Sequence, residues 1–254
     1  MNKFMKIIGA VAIINILARL FGFLREMVIG YQYGTSFVAD SIITAYTIPN
    51  FLYLVVGGAL TTAFISVVNK KTVDSKSFVR QTFTIILTTI TLLTCIIIIF
   101  TNPLLHLFFG DLSAQEYELS RNLFYWMMPS TILLVLSTWM SGVLNVESKF
   151  HLSSFAILIY NASFLLIAVA FTYIMGAEGY GVGALISSVI MIGFLYIGIK
   201  NLRTYSLKPI FNIDGNTKDL WKIALPIMLG GASLQFYIII QRIFAAGFSE
   251  GAIA

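Results

Sequence analysis

The chain has 254 residues, of which 58% are apolar and 11% charged, with a net charge of +5, whereas a soluble domain of this length carries about 25% charged residues. Mean hydropathy is +0.90, and the apolar residues fall into runs of about the 20 residues that cross roughly 30 Å of hydrocarbon. This is the composition of a polytopic membrane protein; it excludes disorder, nucleic-acid binding and a secreted disulfide scaffold, since Cys95 stands alone within an apolar run.

Seven spans are predicted in an all-α transmembrane bundle: Ile7 to Tyr33, Val38 to Val67, Phe83 to Leu107, Leu123 to Leu144, Leu152 to Ile174, Val182 to Ile199, and Leu220 to Phe248. The first follows Lys3 and Lys6 in the manner of a signal peptide. Its apolar run is too long for one, is interrupted by Arg19 and Arg25, and lacks a small-residue cleavage site. Pro49 in the second span and Pro226 in the seventh each remove a backbone donor and predict a bend or local break. Glycines and serines in 183–188 and 230–233 read as packing faces, and His106 and His151 fall at span ends, at the interface.

Seven spans put twelve Lys and Arg on the side of the amino terminus: Lys3, Lys6, Lys70, Lys71, Lys76, Arg80, Lys149, Lys200, Arg203, Lys208, Lys218 and Lys222. The other side holds Arg121 and an acidic set, Asp111, Glu116, Glu118, Glu178 and Glu250. That asymmetry places the amino terminus in the cytoplasm. A six-helix amino-terminal lobe (1–203), a cytoplasmic linker (204–219) and the first helix of a second lobe (220–254) follow. The small-residue turn at Ser249 to Ala254 reads as the interior of a longer chain. A faint echo between Ile14 to Gly34, with Arg25 near its outer end, and Leu225 to Phe248, with Arg242 similarly placed, resembles the parallel repeats of transporters.

Five charges remain within or at the edges of the spans: Arg19, Arg25, Glu26, Asp40 and Arg242. An Arg or Asp at a helix centre costs roughly 2.5 to 3.5 kcal/mol on insertion scales, so each needs a reason. At helical spacing Asn15, Arg19, Gly22 and Glu26 fall within a stripe about 60° wide, flanked by Arg25, which predicts a polar face turned to the bundle or to a water-filled cavity. Asp40, Thr44, Thr47 and Asn50 recur on the second span as an opposing wall, and Gly231, Gln235 and Arg242 share a face of the seventh. Arg19 lies about 18 Å into its span, beyond easy reach of water. Arg25 and Glu26 equally suit snorkelling to an interface, and Asp40 suits an acid at a helix start.

There is no paired-carboxylate, metal-spaced His or Gly-rich phosphate motif, and no loop long enough for a catalytic domain. The chain is therefore read as a non-enzyme without cofactor or metal. Its buried charge is mainly cationic, which suits an anionic head group such as a phosphate.

At Ala18-Arg19-Leu20-Phe21-Gly22-Phe23-Leu24-Arg25-Glu26 the sequence resembles the MurJ/MviN family of lipid II flippases, within the MOP transporter superfamily. The resemblance continues through Tyr33-Gly34, Asp40, Ile48-Pro49-Asn50, Gly58-Ala59 and Ala63-Phe64, through Gly142 to Asn145, Phe150 and Asn161, and through Ala224-Leu225-Pro226 and Gln241 to Ala246. It implies two six-helix lobes about a central cationic cavity, of which this chain would supply the amino-terminal lobe. It also implies that Arg19 and Arg25 hold the substrate's pyrophosphate and that Asp40 is a functionally important outer position. Tyr53 stands where the family often has an arginine, Val56-Gly57 lacks a common acid, and Ala18 replaces a usual serine.

The implied function is a lipid II flippase of the bacterial cell membrane that carries a polyprenyl-pyrophosphate-linked sugar from inner to outer leaflet by alternating access. Membrane lipid and cell-wall synthesis proteins are its expected partners. A flippase for another polyprenyl-linked oligosaccharide and a non-transporting membrane scaffold are the competing readings. The candidate site residues are Arg19, Arg25 and Arg242, with Asn15, Glu26, Asp40, Asn50 and Gln235 beside them.

Overall fold

A chain this apolar satisfies its backbone within a membrane only by helix. The computed structural model describes residues 3–70, 73–109, 112–211 and 214–246. Among them it shows α1 (Lys3–Tyr33), α2 (Phe37–Leu52), α3 (Gly58–Val68), α4 (Ser75–Ile99), α5 (Thr101–Phe109), α6 (Ala114–Val146), α7 (Phe150–Met175), α8 (Gly179–Leu202) and α9 (Gly215–Ala246), and no strand. Lys71, Asp111, Phe248 and the turn at 249–254 with Glu250 lie outside the described residues.

Among the described residues six helical runs are long and apolar enough to cross a membrane. The 53-residue run Phe150–Leu202 folds back at Gly176, whose φ of +61° suits glycine, and so supplies two crossings, α7 and α8. This hairpin closes on small residues. A Cβ at Gly183 would meet Ala168 Cβ at 2.8 Å, and one at Gly179 would meet the Thr172 backbone nitrogen at 2.5 Å.

The central element is α6, which packs against α2, α3, α4 and α8. Its Trp139 lies 5.8 Å from the rings of both Phe64 on α3 and Phe83 on α4, and Phe64 stacks on Phe78 at 5.7 Å. Phe78 belongs to a stretch that the hydropathy pattern leaves outside the third span. That span begins at Ser75, because Asp74 caps it through Lys76 N–H and Thr82 returns its hydroxyl to the carbonyl of Phe78. It ends at Ile99, short of the predicted Leu107, and a separate α5 carries Pro103 in its first turn, where a missing donor is harmless. The fourth span likewise starts early, at Ala114, behind a reciprocal Ser113 and Glu116 capping box.

Pro49 and Pro226 act differently. Pro49 lies in the last turn of α2, and the helix widens just beyond it into a π-helical turn, Tyr53–Gly57, before continuing as α3. The turn sets Gly57 so close to α6 that a Cβ there would meet Thr138 Oγ1 at 2.7 Å. Pro226 sits inside an unbroken α9.

The loops gather at two ends. One end joins Lys70 to Asp219 (2.7 Å), Tyr205 to Glu147 (2.6 Å), and Arg80 to the carbonyl of Lys208 (3.1 Å). The other joins Trp126 and Asn122 to Glu178, and Ser41 to the carbonyl of Glu116. Lys70, Arg80 and Lys208 thus gather at one end. The stretch read as a linker is shorter than predicted, since α9 begins at Gly215. There Asp214 accepts from Thr217 N–H at 3.0 Å, while Ile210 N–H donates to Thr84 Oγ1 at 2.8 Å and pins the segment to α4.

Two measurements on stability follow from these contacts. Gly183→Ala should destabilise the protein by about 1–3 kcal/mol through overpacking. Gly193→Ala, with nothing within 4 Å of the new Cβ, should be neutral or stabilising by up to about 1 kcal/mol. Equal losses in detergent unfolding would show that the α7–α8 contact is not what limits the hairpin. Burial raises the Asp214 carboxyl, but hydrogen bonds from the Thr217 backbone and from Gln81, Asn216 and Thr217 outweigh it and hold the group below the ordinary aspartate value of 3.8. A depressed carboxylate stabilises the fold above that value and loses its contribution as the pH falls through the folded pKa. The stability gap between the protein and Asp214→Ala, about 0.5–2 kcal/mol for a helix cap, should therefore be constant above pH ~4 and shrink below it; a gap independent of pH would refute the cap.

Candidate functional site

A cavity of about 350 Å³ opens between α1, α2, α6, α7, α8 and α9. Three charged side chains line it: Arg25 and Glu26 from α1, and Arg242 from α9. Asn50, Tyr46, Ile42 and Ile43 of α2, Ile29, Met127, Phe164 and Tyr180 complete the wall.

Arg25 is the most constrained of these groups. Its side chain is 13% exposed, and Nη2 donates to Glu26 Oε1 at 2.6 Å. Its Cζ lies 5.2 Å from the Tyr46 ring centroid and 4.9 Å from that of Phe164, so two aromatic faces contribute to holding the cation. Glu26 is 53% exposed at its side chain. Arg242 crosses to α2 and donates from Nη1 to Thr47 Oγ1. Two guanidinium groups against one carboxylate leave the cavity cationic, with planar donors that match phosphate oxygens two at a time.

The neighbouring helices position α1. Asn161 Nδ2 on α7 donates to the carbonyl of Ala18 at 3.1 Å, and Tyr180 OH on α8 donates to Gln32 Oε1 at 2.8 Å. Ala18 and Ile29 are buried on the same side of α1, and Arg25 falls between them at seven and four residues' distance. The inward face of α1 therefore runs through 18, 22, 25 and 29, with Gly22 opposite Asn161 and Glu26 at its edge, and leaves 15 and 19 aside. Arg19 is six residues from Arg25, about 9 Å along the axis and a third of a turn around it, and its side chain is exposed and not part of the cavity wall. Asn15 is half-buried one turn further away.

On α2 the predicted wall divides. Asn50 lines the cavity with Ile43 and Tyr46, whereas Asp40, Thr44 and Thr47 are buried among the helices, and neither Asp40 nor Thr44 reaches the cavity. Gln235 is half-buried on α9; it shares a helical face with Arg242 but lies about 10 Å along the axis from it. The structure thus brings together Arg25, Glu26, Asn50 and Arg242, and leaves Arg19, Asn15, Asp40 and Gln235 apart.

Aromatic groups are what sequence reasoning missed. Tyr46 was legible as the residue one turn before Asn50 on the same face. Phe164, three residues after Asn161, carried a weaker sign. Tyr180 carried none, because only the α7–α8 hairpin brings it to α1. Among the described residues no cluster of His, Cys, Asp and Glu is suited to a metal ion.

The sequence and the fold find relatives. A protein from Rickettsia prowazekii described as "Probable lipid II flippase MurJ" is 26% identical over 251 residues, covering 96% of this chain and 49% of that protein. One of the same description from Rhizobium tropici is 27% identical over 270 residues, covering all of this chain and 49% of its own length. The chain thus spans about half the length of the curated relatives it matches. Among solved structures, a lipid II flippase MurJ in an inward closed conformation superposes with a TM-score of 0.81 at 22% identity, over 96% of this chain and 52% of that one. A MATE transporter does so with 0.75 at 14% identity, over 96% and 58%. At these identities the structures establish the fold alone, a bundle of membrane-length helices. The family described as lipid II flippase MurJ matches residues 29–254, a range that begins just after Arg25 and Glu26 and takes in every other helix lining the cavity. The chain belongs to the lipid II flippase MurJ family.

Proposed function

We propose that the protein moves lipid II, a polyprenyl-pyrophosphate-linked peptidoglycan precursor, from the inner to the outer leaflet of the bacterial cell membrane by alternating access. In this reading residues 1–203 form an amino-terminal lobe and α9 opens a second one. The observation that carries it is the convergence of Arg25 and Arg242, from helices far apart in sequence, on one cavity with Glu26 as the opposing charge. A pyrophosphate entering this cavity replaces Glu26 as the partner of Arg25 while the two rings keep the guanidinium in place. Glu26, already partly exposed, turns to water. Family membership supports the substrate, and the likeness to transporters of the MOP type supports rocking of two lobes about a site between them. The concentration of basic residues at the end holding residues 70, 149, 203 and 208 supports an amino terminus in the cytoplasm.

In the full-length protein, Arg25→Ala and Arg242→Ala should each abolish appearance of the precursor in the outer leaflet, measured in cells that depend on this protein alone. Arg25→Lys should restore it only in part, since an ammonium keeps the charge and loses the two-pronged geometry. Wild-type levels with both alanines would remove the cationic-cavity mechanism and leave a scaffold role. Topology is checked separately in a Cys95→Ser background. Lys149→Cys should resist an impermeant thiol reagent applied to intact cells and Glu118→Cys should react; the reverse pattern would invert the direction of transport.

A further inference from the structure

At the end of the bundle where Lys70, Arg80 and Lys208 gather, a pocket of about 410 Å³ lies between α4, the segment before α9 and the first turns of α9. It shares no residue with the cationic cavity. Two contacts close its loop side. Thr217 Oγ1 of α9 donates to Gln81 Oε1 of α4 at 3.4 Å, and one turn further along α4 Thr84 Oγ1 accepts from Ile210 N–H at 2.8 Å. Away from the loops the pocket runs into apolar surface. Thr88 stands one turn before Leu92 and Ile96, Trp221 stands one turn before Leu225, and all three apolar residues are more than half exposed. An exposed apolar face on a membrane-length helix meets hydrocarbon.

The polar groups in this wall are of two kinds. The hydroxyls of Thr84 and Thr217 are spent within the fold, on Arg80 and Ile210 and on Gln81 and Asp214. Those of Thr88 and Thr89, the Trp221 indole N–H and the Lys218 ammonium are not: among the described residues none of the four has a hydrogen-bond or ionic partner. All four can donate, one of them carries charge, and no carboxylate lines the wall. The acids nearest Lys218 in sequence are engaged elsewhere, Asp214 with Thr217 and Asp219 with Lys70 and Lys222.

One cation and three neutral donors beside an apolar slot call for an acceptor-rich anion joined to hydrocarbon. A free phosphate satisfies the donors and leaves Ile85, Ile210 and Phe211 uncovered; a plain hydrocarbon does the reverse. Phe211, 86% exposed, gains most from an apolar cover. Lys and Trp at the boundary between loops and hydrocarbon also stand at the depth of lipid headgroups.

We propose that this pocket binds an anionic glycerophospholipid of the adjoining leaflet. Its phosphate lies on Lys218, its ester oxygens accept from Thr88, Thr89 and Trp221, and one acyl chain runs between Ile85 and Phe211 toward Leu92. Because the walls come from α4, from residues 210–211 and from α9, the bound lipid fastens the amino-terminal end of α9 to the preceding helices.

The test uses the full-length protein in detergent and brominated phosphatidylglycerol as a fluorescence quencher. The Trp221 signal is the difference between the protein and Trp221→Phe. Half-maximal quenching should need about fivefold less phosphatidylglycerol than brominated phosphatidylcholine with the same chains, the effect of one Lys on an anionic lipid. Lys218→Glu and the milder Lys218→Gln, both at an exposed position, should erase that preference. Amide exchange in residues 208–218 should slow when phosphatidylglycerol is present. A preference that survives both variants, equal quenching by the two lipids, or an unquenched Trp221 overturns the site, and unchanged exchange overturns the fastening of α9. Relief of quenching by sn-glycerol 3-phosphate shows a site for free phosphate and overturns the lipid as its occupant. The preference should persist in Arg25→Ala; its loss there assigns the lipid to the cationic cavity and overturns a separate site.

Discussion

The placement of the Arg25 guanidinium is the constraint around which the bundle is organised. A cation in an apolar bundle is stable only with partners on several sides, and no single neighbour suffices here. Glu26 supplies charge from the same helix, Tyr46 supplies a ring from α2, and Phe164 supplies one from α7. Because those rings come from different elements, α1, α2 and α7 must hold a fixed relation for the cation to remain where it is. The hydrogen bonds from Asn161 to Ala18 and from Tyr180 to Gln32 maintain it, and the glycines of the α7–α8 hairpin let those two helices approach closely enough to present both donors.

The same demand explains the uneven coverage of the helices. The central element α6 is buried along most of its length, while α1 and α9 are covered on one narrow face each. These two helices carry all the charges of the cavity. A cationic chamber between them borders the least constrained elements, where relative motion disturbs the fewest packed side chains. The interior of the lobe, built on Trp139, Phe64 and Phe78, has no such freedom. The segment before α9 is fastened at Glu147, Arg80 and Thr84, so the amino-terminal end of α9 is tied to the preceding helices while its carboxyl-terminal half reaches the cavity through Arg242.

Proline and glycine act here through geometry. Pro49 and the π-helical turn beyond it rotate the two halves of the second span relative to each other. The first half then offers Tyr46 and Asn50 to the cavity and Thr47 to Arg242, while the second half presses Gly57 and its neighbours onto α6. Asp40, Thr44, Thr47 and Asn50 all precede this turn within α2, so their division between the packed interior and the cavity is set by which helices stand against α2.

The sequence by itself determined what depends on one-dimensional chemistry. The number and approximate place of the apolar spans follow from hydropathy, the two-ended distribution of Lys and Arg from counting, and the need for a cationic interior from the cost of Arg in hydrocarbon. Arg25, Glu26, Asn50 and Arg242 were within reach because each is an uncommon residue at its depth, and resemblance to the family rested on the same residues. Which face of α1 turns inward was decided by the tertiary structure, since Ala18 is held by Asn161 and Arg25 by Phe164, each over a hundred positions away. Periodicity alone grouped Arg19 with Glu26, as it measures which residues share a side of a helix and says nothing of where the adjacent helices stand. The aromatic clamp on Arg25, the reach of Arg242 to Thr47 and the early starts of α4 and α6 have the same origin: each depends on a contact between distant segments or on a cap that a hydropathy average does not register.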